Sequence, residues 1–225
     1  MQLTSNPIFG IILTFITYII GVKINKKFKK TCLNPILIAL VLIIAFLNIF
    51  KIPYENYCEG GDIITMMLTP ATAVIALSVY RQRKLLKEHY IAIIVGTGIG
   101  SLASISSIYL LGTFLKVDAQ TIASLLPKSV TTPIAMAIST SIGGMAALTI
   151  IAVLITGVLG SIFAPLLIKM FKIKHPVAQG VGIGSCSHAL GTTKAIELGE
   201  DIGAMSGISI AFSGLFTVVF ALLFF

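Results

Sequence analysis

Charge is what this sequence has least of. Asp, Glu, Lys and Arg together make up 11% of its 225 residues, against about 25% in an ordinary soluble domain. A soluble core of this length has no way to hide the apolar surface that remains. Acidic residues are scarcest, 8 against 16 basic, for a net charge of +8. In a soluble chain that surplus would point to nucleic acid. Here the basic residues fall in short gaps between apolar runs, which reports membrane topology, so no nucleic acid is expected as a partner. The three cysteines, Cys32, Cys58 and Cys186, show no C-x-x-C or other ligand spacing, leaving neither a disulfide framework nor a metal site. No G-x-S-x-G or H-E-x-x-H signature occurs, and hydrolysis needs a nucleophile, a base and an orienting acid within reach. The chain is expected not to be an enzyme and to carry no cofactor. No basic residue precedes the first apolar run, Pro7 to Val22, and no small-residue cleavage pattern follows it, so it reads as a first span and not as a cleaved signal peptide.

What is present is apolar sequence: 56% of residues are hydrophobic and the mean hydropathy is +1.03. Apolar runs lie at about residues 8–22, 34–50, 63–80, 90–115, 119–143, 145–168, 176–198 and 202–225. At roughly 20 residues per crossing, the length allows about seven to nine membrane segments with short connections. The fold class expected is therefore all-α, a polytopic integral membrane protein forming one domain over residues 1–225. Twelve of the sixteen Lys and Arg residues sit in three gaps, residues 23–30, 81–87 and 169–174. The gap from Lys51 to Asp62 instead carries Glu55, Glu59 and Asp62. The positive-inside rule then puts the three basic gaps in the cytoplasm and the N-terminus outside. That parity fails if residues 119–143 cross once, because Lys169 to Lys174 would emerge on the wrong side. It is restored if 119–143 form a re-entrant hairpin, broken near Pro127 to Pro133.

Three runs, the third, fifth and seventh, are poor in large aliphatics and rich in Gly, Pro, Ser and Thr. A shift of 60 residues places Thr132, Ala135, Ile142, Gly143 and Met145 on Thr192, Ala195, Ile202, Gly203 and Met205. Residues 119–168 and 177–225 are accordingly read as inverted repeat units, the arrangement of secondary transporters. An interrupted helix is tolerated in hydrocarbon only where freed backbone groups meet protein, water or a ligand. Helix breaks are expected at Pro70, Pro127, Pro133, Gly184 and Gly191. Around them stand the cationic candidates Lys128, His188 and Lys194 and the hydroxyls of Ser129, Thr131, Thr132, Ser187, Thr192 and Thr193, a set that favours a small organic anion. A half-helix beginning at either break would aim free N–H groups at the same place. Plainer readings stand beside these. Lys194 can snorkel from a helix end, single hydroxyls can bond back to the chain, and a histidine in a Gly-rich turn can simply tie down carbonyls. His188 and Glu197 are the candidates for carrying a coupling proton. Glu200 and Asp201 read as solvated. The Gly96 to Gly100 run reads as close helix packing, since no strand precedes it.

At these positions the chain resembles the LrgB/CidB family of bacterial membrane proteins. The resemblance is carried by Leu33-Asn34-Pro35, Gly60-Gly61-Asp62, Leu68-Thr69-Pro70-Ala71-Thr72, the stretch Leu126 to Ala135, Ile142-Gly143-Gly144, and the stretch Ser187 to Ala195. It implies two functions. One is antiholin-like or holin-associated control of murein hydrolase activity and autolysis, with a small LrgA/CidA-type membrane partner. The other is transport of small monocarboxylates, as in the related plastid glycolate/glycerate translocators. Broken segments and paired polar motifs favour a carrier of pyruvate- or glycolate-like anions, with the antiholin-like role as the alternative. The expected setting is the lipid bilayer of a bacterial cell membrane, with an LrgA/CidA-type partner and a homo-oligomer as candidate assemblies.

Overall fold

The computed structural model describes residues 4, 6–28, 35–67, 70, 73, 74, 77 and 80–224. Among them are nine helices and no strand: α1 (Pro7–Phe28), α2 (Pro35–Ile49), α3 (Tyr54–Thr65), α4 (Arg83–Phe114), α5 (Ala119–Leu125), α6 (Thr132–Ser141), α7 (Ala146–Met170), α8 (Pro176–Leu198) and α9 (Glu200–Phe224). Four of these, α1, α4, α7 and α9, are long and apolar enough to cross a membrane, and α2 is a shorter apolar helix. The protein is an all-helical, polytopic membrane protein. Most of the third apolar run, including the neighbours of Pro70, lies outside the described residues. The helices group into two units, residues 1–73 and 74–225.

In the first unit, Asn6 opens α1: its Oδ1 accepts from the Ile8 N–H at 2.9 Å, and Pro7 fills the first helical position, where a missing N–H costs nothing. Leu13 of α1 packs with Ile43 and Leu47 of α2, and Phe9, Phe46 and Tyr57 close around them. Helices α1 and α3 cross so closely that a Cβ on Gly10 would lie 2.5 Å from the Tyr57 carbonyl oxygen. Helix α3 begins inside the acidic stretch that the sequence presents as a loop. Pro53 precedes it, and Glu55 in its first turn complements the helix dipole.

In the second unit α4 is the spine. A kink at His89 (φ −119°, ψ 21°) separates a short basic turn from the long apolar part. Read along α4 from its C-terminal end, Gly112 faces Ile122, Ile105 packs on Leu126 and Ser104 meets Ser129. Further along, Gly100 faces Ser185, and Ile93 packs on Val177 and Val181. Thus α5 and the turn after it run beside one half of α4, and the start of α8 runs beside the other. Helix α6 then returns. Ala135 packs with Val153 of α7, and farther along α6 the Ser139 hydroxyl accepts from Thr149 at 2.7 Å, beside Ser124 of α5, whose carbonyl lies 2.9 Å from the same Thr149 hydroxyl. At 1.5 Å per residue α5 and α6 are only about 10 and 15 Å long, half the roughly 30 Å of a hydrocarbon core. They form a hairpin of two half-length helices with its tip at residues 126–131.

Helix α8 is a second hairpin. His188 has φ 41° and ψ −141°, and the chain reverses there. Ile183 and Ala195 would stand about 18 Å apart along a straight helix, yet they share one apolar cluster with Ala164 and Ile202. The reversal falls at His188, between Gly184 and Gly191, and both glycines remain helical, which corrects the breaks expected there. Gly184 lies against the Ser206 carbonyl of α9, and Gly191 against Ser187 and Ile183 across the hairpin. Pro127 lies in the first hairpin's turn, and Pro133 sits in the first turn of α6, where proline is tolerated. Helix α9 starts beside Gly180 and Ile93 and ends with Phe224 against Tyr109, ring centroids 5.3 Å apart.

Three helices end on the same device. Lys51, Lys116 and Lys172 take positive φ of 50°, 54° and 52°. After each, the next residue's N–H reaches back five: Ile52 to Leu47 at 2.9 Å, Val117 to Gly112 at 2.9 Å, and Ile173 to Ile168 at 3.0 Å. These are Schellman endings with lysine where glycine is usual. The cation suits the negative end of the helix dipole.

Candidate functional site

Both hairpins reach the middle of α4: the first tip places Ser129 against Ser104, and the first arm of α8 places Ser185 against Gly100. Lys128, half-buried at the first tip, points its Nζ to Ser104 Oγ at 3.4 Å and Ser129 Oγ at 3.5 Å. The two hydroxyls are 2.7 Å from each other. One turn along α4, the Ser101 and Ser213 hydroxyls are 3.1 Å apart, and Ser213 donates to the Ser185 carbonyl at 3.4 Å. Hydroxyls therefore join α4, α9 and the first arm of α8. Cys186, exposed, follows Ser185. Among the described residues no acidic side chain enters this cluster, and the ammonium is held there by hydroxyl oxygens. That arrangement can neutralise and hydrogen-bond one small anion.

Of the residues the sequence singles out, Lys128 and Ser129 stand in this cluster. Thr131 is buried at the N-cap of α6, its side chain making no capping bond, and Thr132 is the first helical residue. The others have other partners. His188, 4% exposed, lies 3.0 Å through Nε2 from the Val153 carbonyl of α7. A carbonyl only accepts, so Nε2 carries the hydrogen. The ring sits in a notch at Gly157, where a Cβ would come within 2.6 Å of His188 Cε1. Ser187 fills the next notch, at Gly160. Thr192 Oγ1 is 2.7 Å from Ser206 Oγ, and Thr193 bonds back to the Ala189 carbonyl at 3.2 Å. Lys194 and Glu197 form an exposed ion pair of 2.7 Å, and Glu200 and Asp201 are exposed in the first turn of α9. Among the described residues, no group of His, Cys, Asp and Glu is placed to hold a metal.

Sequence reading misses Ser101, Ser104, Ser185 and Ser213. A signal exists: Thr97, Ser101 and Ser104 recur at the i, i+4, i+7 spacing of one helix face, in a segment whose glycines alone attract attention. The shift of 60 also pairs Lys128 with His188, the residue at each hairpin tip.

The sequence model of the LrgB-like family matches residues 14–225. The chain is 37% identical over 220 residues to antiholin-like protein LrgB of Bacillus subtilis (strain 168), covering 97% of this chain and 95% of that protein. It is 37% identical to antiholin-like protein LrgB of Bacillus mycoides (strain KBAB4), covering 97% and 96%. It is also 36% identical over 211 residues to uncharacterized protein YwbG of Bacillus subtilis (strain 168), covering 94% of each. No solved structure matches.

Proposed function

Because this chain belongs to the LrgB-like family, we propose that it serves an antiholin-like role in the bacterial cell membrane, and that the molecular activity beneath that role is transport of a small monocarboxylate. The first half is supported by the names of the relatives. It comprises restraint of murein hydrolase activity and autolysis, exercised with an LrgA/CidA-type partner. The basic ends of α4 and α7 face the cytoplasm and the N-terminus faces outward.

One observation supports the second half: the first hairpin puts Lys128 among hydroxyls beside the middle of α4, one turn from where Ser185 of the second hairpin faces Gly100. Interrupted helices are costly in lipid unless the freed groups meet protein, water or a ligand, and a regulator acting only through helix faces has no use for them. Residues 119–168 and 177–225 are the two units, each a hairpin followed by a span, in inverted orientation. The carboxylate binds Lys128, with Ser104 and Ser129 as hydroxyl partners and Thr131 and Thr132 at the opening turn of α6. His188 anchors the second tip to α7. Movement of the hairpins against the aliphatic helices gives alternating access. The chain needs neither cofactor nor catalytic residue for this.

Uptake of labelled pyruvate and glycolate into proteoliposomes, with and without an LrgA-type partner, is the test. Saturable uptake that Lys128→Met lowers at least about tenfold, the scale of a buried charge pair's contribution, upholds transport. Non-saturable leakage, or full uptake by Lys128→Met, refutes it. Unchanged autolysis on deletion of the chain refutes the antiholin-like role separately.

A further inference from the structure

We propose that the cleft between α4 and the first arm of α8 is a water-filled vestibule that draws small anions from the basic face to the hairpin tips, and that Gly182 sets its calibre. This rests on the transport reading above for the anion's identity, and on the geometry alone for the vestibule.

The cleft encloses about 580 Å³, within the range of small-molecule sites. His89 at the α4 kink and His175 at the N-cap of α8 form its mouth, their rings edge to face with centroids 6.4 Å apart. Both belong to the end of the unit that carries Arg83, Lys84 and Lys87 on α4 and Lys169, Lys172 and Lys174 at the close of α7. Glu88 is the carboxylate beside the mouth, 3.8 Å from His89 Nε2. The inner end is Ser185, whose Oγ is 4.0 Å from Cys186 Sγ and faces Gly100 of α4, one turn from Ser104, which lies 3.4 Å from Lys128 Nζ. The mouth thus opens at the basic end of the unit, and the inner end lies one turn of α4 from the hydroxyls that hold the Lys128 ammonium. A surplus of one sign around a cleft with low-dielectric walls raises the local concentration of counter-ions, by roughly 10 to 10³ where that sign lines the cleft itself.

The groove on the first unit shows the contrary case. Asn6 and Thr17 apart, its lining from Ile8 to Phe46 is apolar, as a lipid-filled groove requires. Among the glycines of the α4–α8 cleft, Gly96 is held by packing, since a Cβ there would lie 2.7 Å from Val181 Cγ1. Gly182 is not: a Cβ built on it meets nothing within 4 Å. The missing side chain leaves the passage open.

Cys186, exposed beside the Ser185 that closes the inner end, serves as the reporter. With Cys32→Ser and Cys58→Ser it is the sole thiol, and its modification by membrane-impermeant methanethiosulfonates can be timed in vesicles of either orientation. Inside-out vesicles, which present the basic loops, should react and right-side-out vesicles should not. Relative to free thiol, the anionic sulfonatoethyl reagent should react about tenfold or more faster than the cationic trimethylammonioethyl reagent. Lys128→Met should bring that ratio toward one. Gly182→Leu should slow both reagents, and the smaller Gly182→Ala should slow them by less. Reaction only after detergent solubilisation, or equal rates for both reagents in the parent, overturns the vestibule. Unchanged rates in both Gly182 variants overturn the role of that residue. The full pattern without protection by pyruvate or glycolate upholds the vestibule and counts against the transport reading alone.

Discussion

The reversal at His188 makes a prediction whose sign separates two folds. At φ 41° and ψ −141° the residue occupies backbone space that glycine enters freely and other residues enter at about 1–3 kcal/mol. Replacing it by Gly or by Ala removes the same ring, the same bond to Val153 and the same filling of the Gly157 notch. The two variants therefore differ in backbone preference alone. For a hairpin, His188→Gly should be more stable than His188→Ala by about 1–3 kcal/mol. For an unbroken helix over 176–198 the order reverses, because Ala exceeds Gly by about 1 kcal/mol in a helix interior. Thermal unfolding of the purified variants in detergent, followed by far-ultraviolet circular dichroism, reads the order. At roughly 2–4 °C per kcal/mol for a chain of this size, the gap is several degrees. Equal midpoints, or Ala above Gly, would refute the hairpin.

Gly157→Val should lower the unfolding midpoint at a cost of about 1–3 kcal/mol, because its Cβ would stand 2.6 Å from His188 Cε1 and 2.8 Å from Leu190 Cδ1. Combining it with His188→Gly should recover part of the loss, and strict additivity in that cycle would show that the notch does not seat the ring. Lys116→Gly should raise the midpoint by relieving about 1 kcal/mol of left-handed strain, and a fall would mean that the lysine's charge outweighs its backbone. Asp118 accepts from the Thr121 N–H at 2.8 Å as the N-cap of α5. Hydrogen bonds from the Thr121 side chain and backbone hold its carboxyl below the usual carboxylate range. Its contribution is therefore complete above the unfolded-state value of about 3.9 and is lost as pH falls through the lower folded value. Asp118→Asn should flatten the acid limb of the midpoint-versus-pH curve below about pH 4, and an unchanged limb would remove Asp118 as its source.

Much of this architecture is legible in the chain before any coordinates. Composition alone demands lipid as solvent, and the long aliphatic runs become α1, α4, α7 and α9 because backbone in hydrocarbon must satisfy its own hydrogen bonds. Charge parity predicts a hairpin broken near Pro127 to Pro133 within 119–143, and the chain there is the pair of short helices α5 and α6. Lys128 stands out because an ammonium between two prolines in an apolar run calls for partners. Other features resist such reading. Glycine accepts helical and reversed backbone alike, so the Gly180 to Gly191 run does not say where α8 turns. His188 is fixed there by a carbonyl and a notch on α7, remote in sequence. Helix α3 hides in a stretch whose charges suggest a loop. The repeated Phe50-Lys51-Ile52, Leu115-Lys116-Val117 and Phe171-Lys172-Ile173 endings are visible but carry no glycine to announce them. The serines of α4 and α9 pass for packing residues, since a hydroxyl in an apolar helix can always bond back to its own turn.

The sequence by itself determined the solvent, the long spans, the presence of the first hairpin and the lysine at its tip, because each follows from local composition and the energetics of lipid. Only the tertiary structure decided where α8 reverses, which hydroxyls surround Lys128 and that both hairpins reach the middle of α4. Those depend on which surfaces of separate helices come into register, and no short stretch of chain encodes that alone.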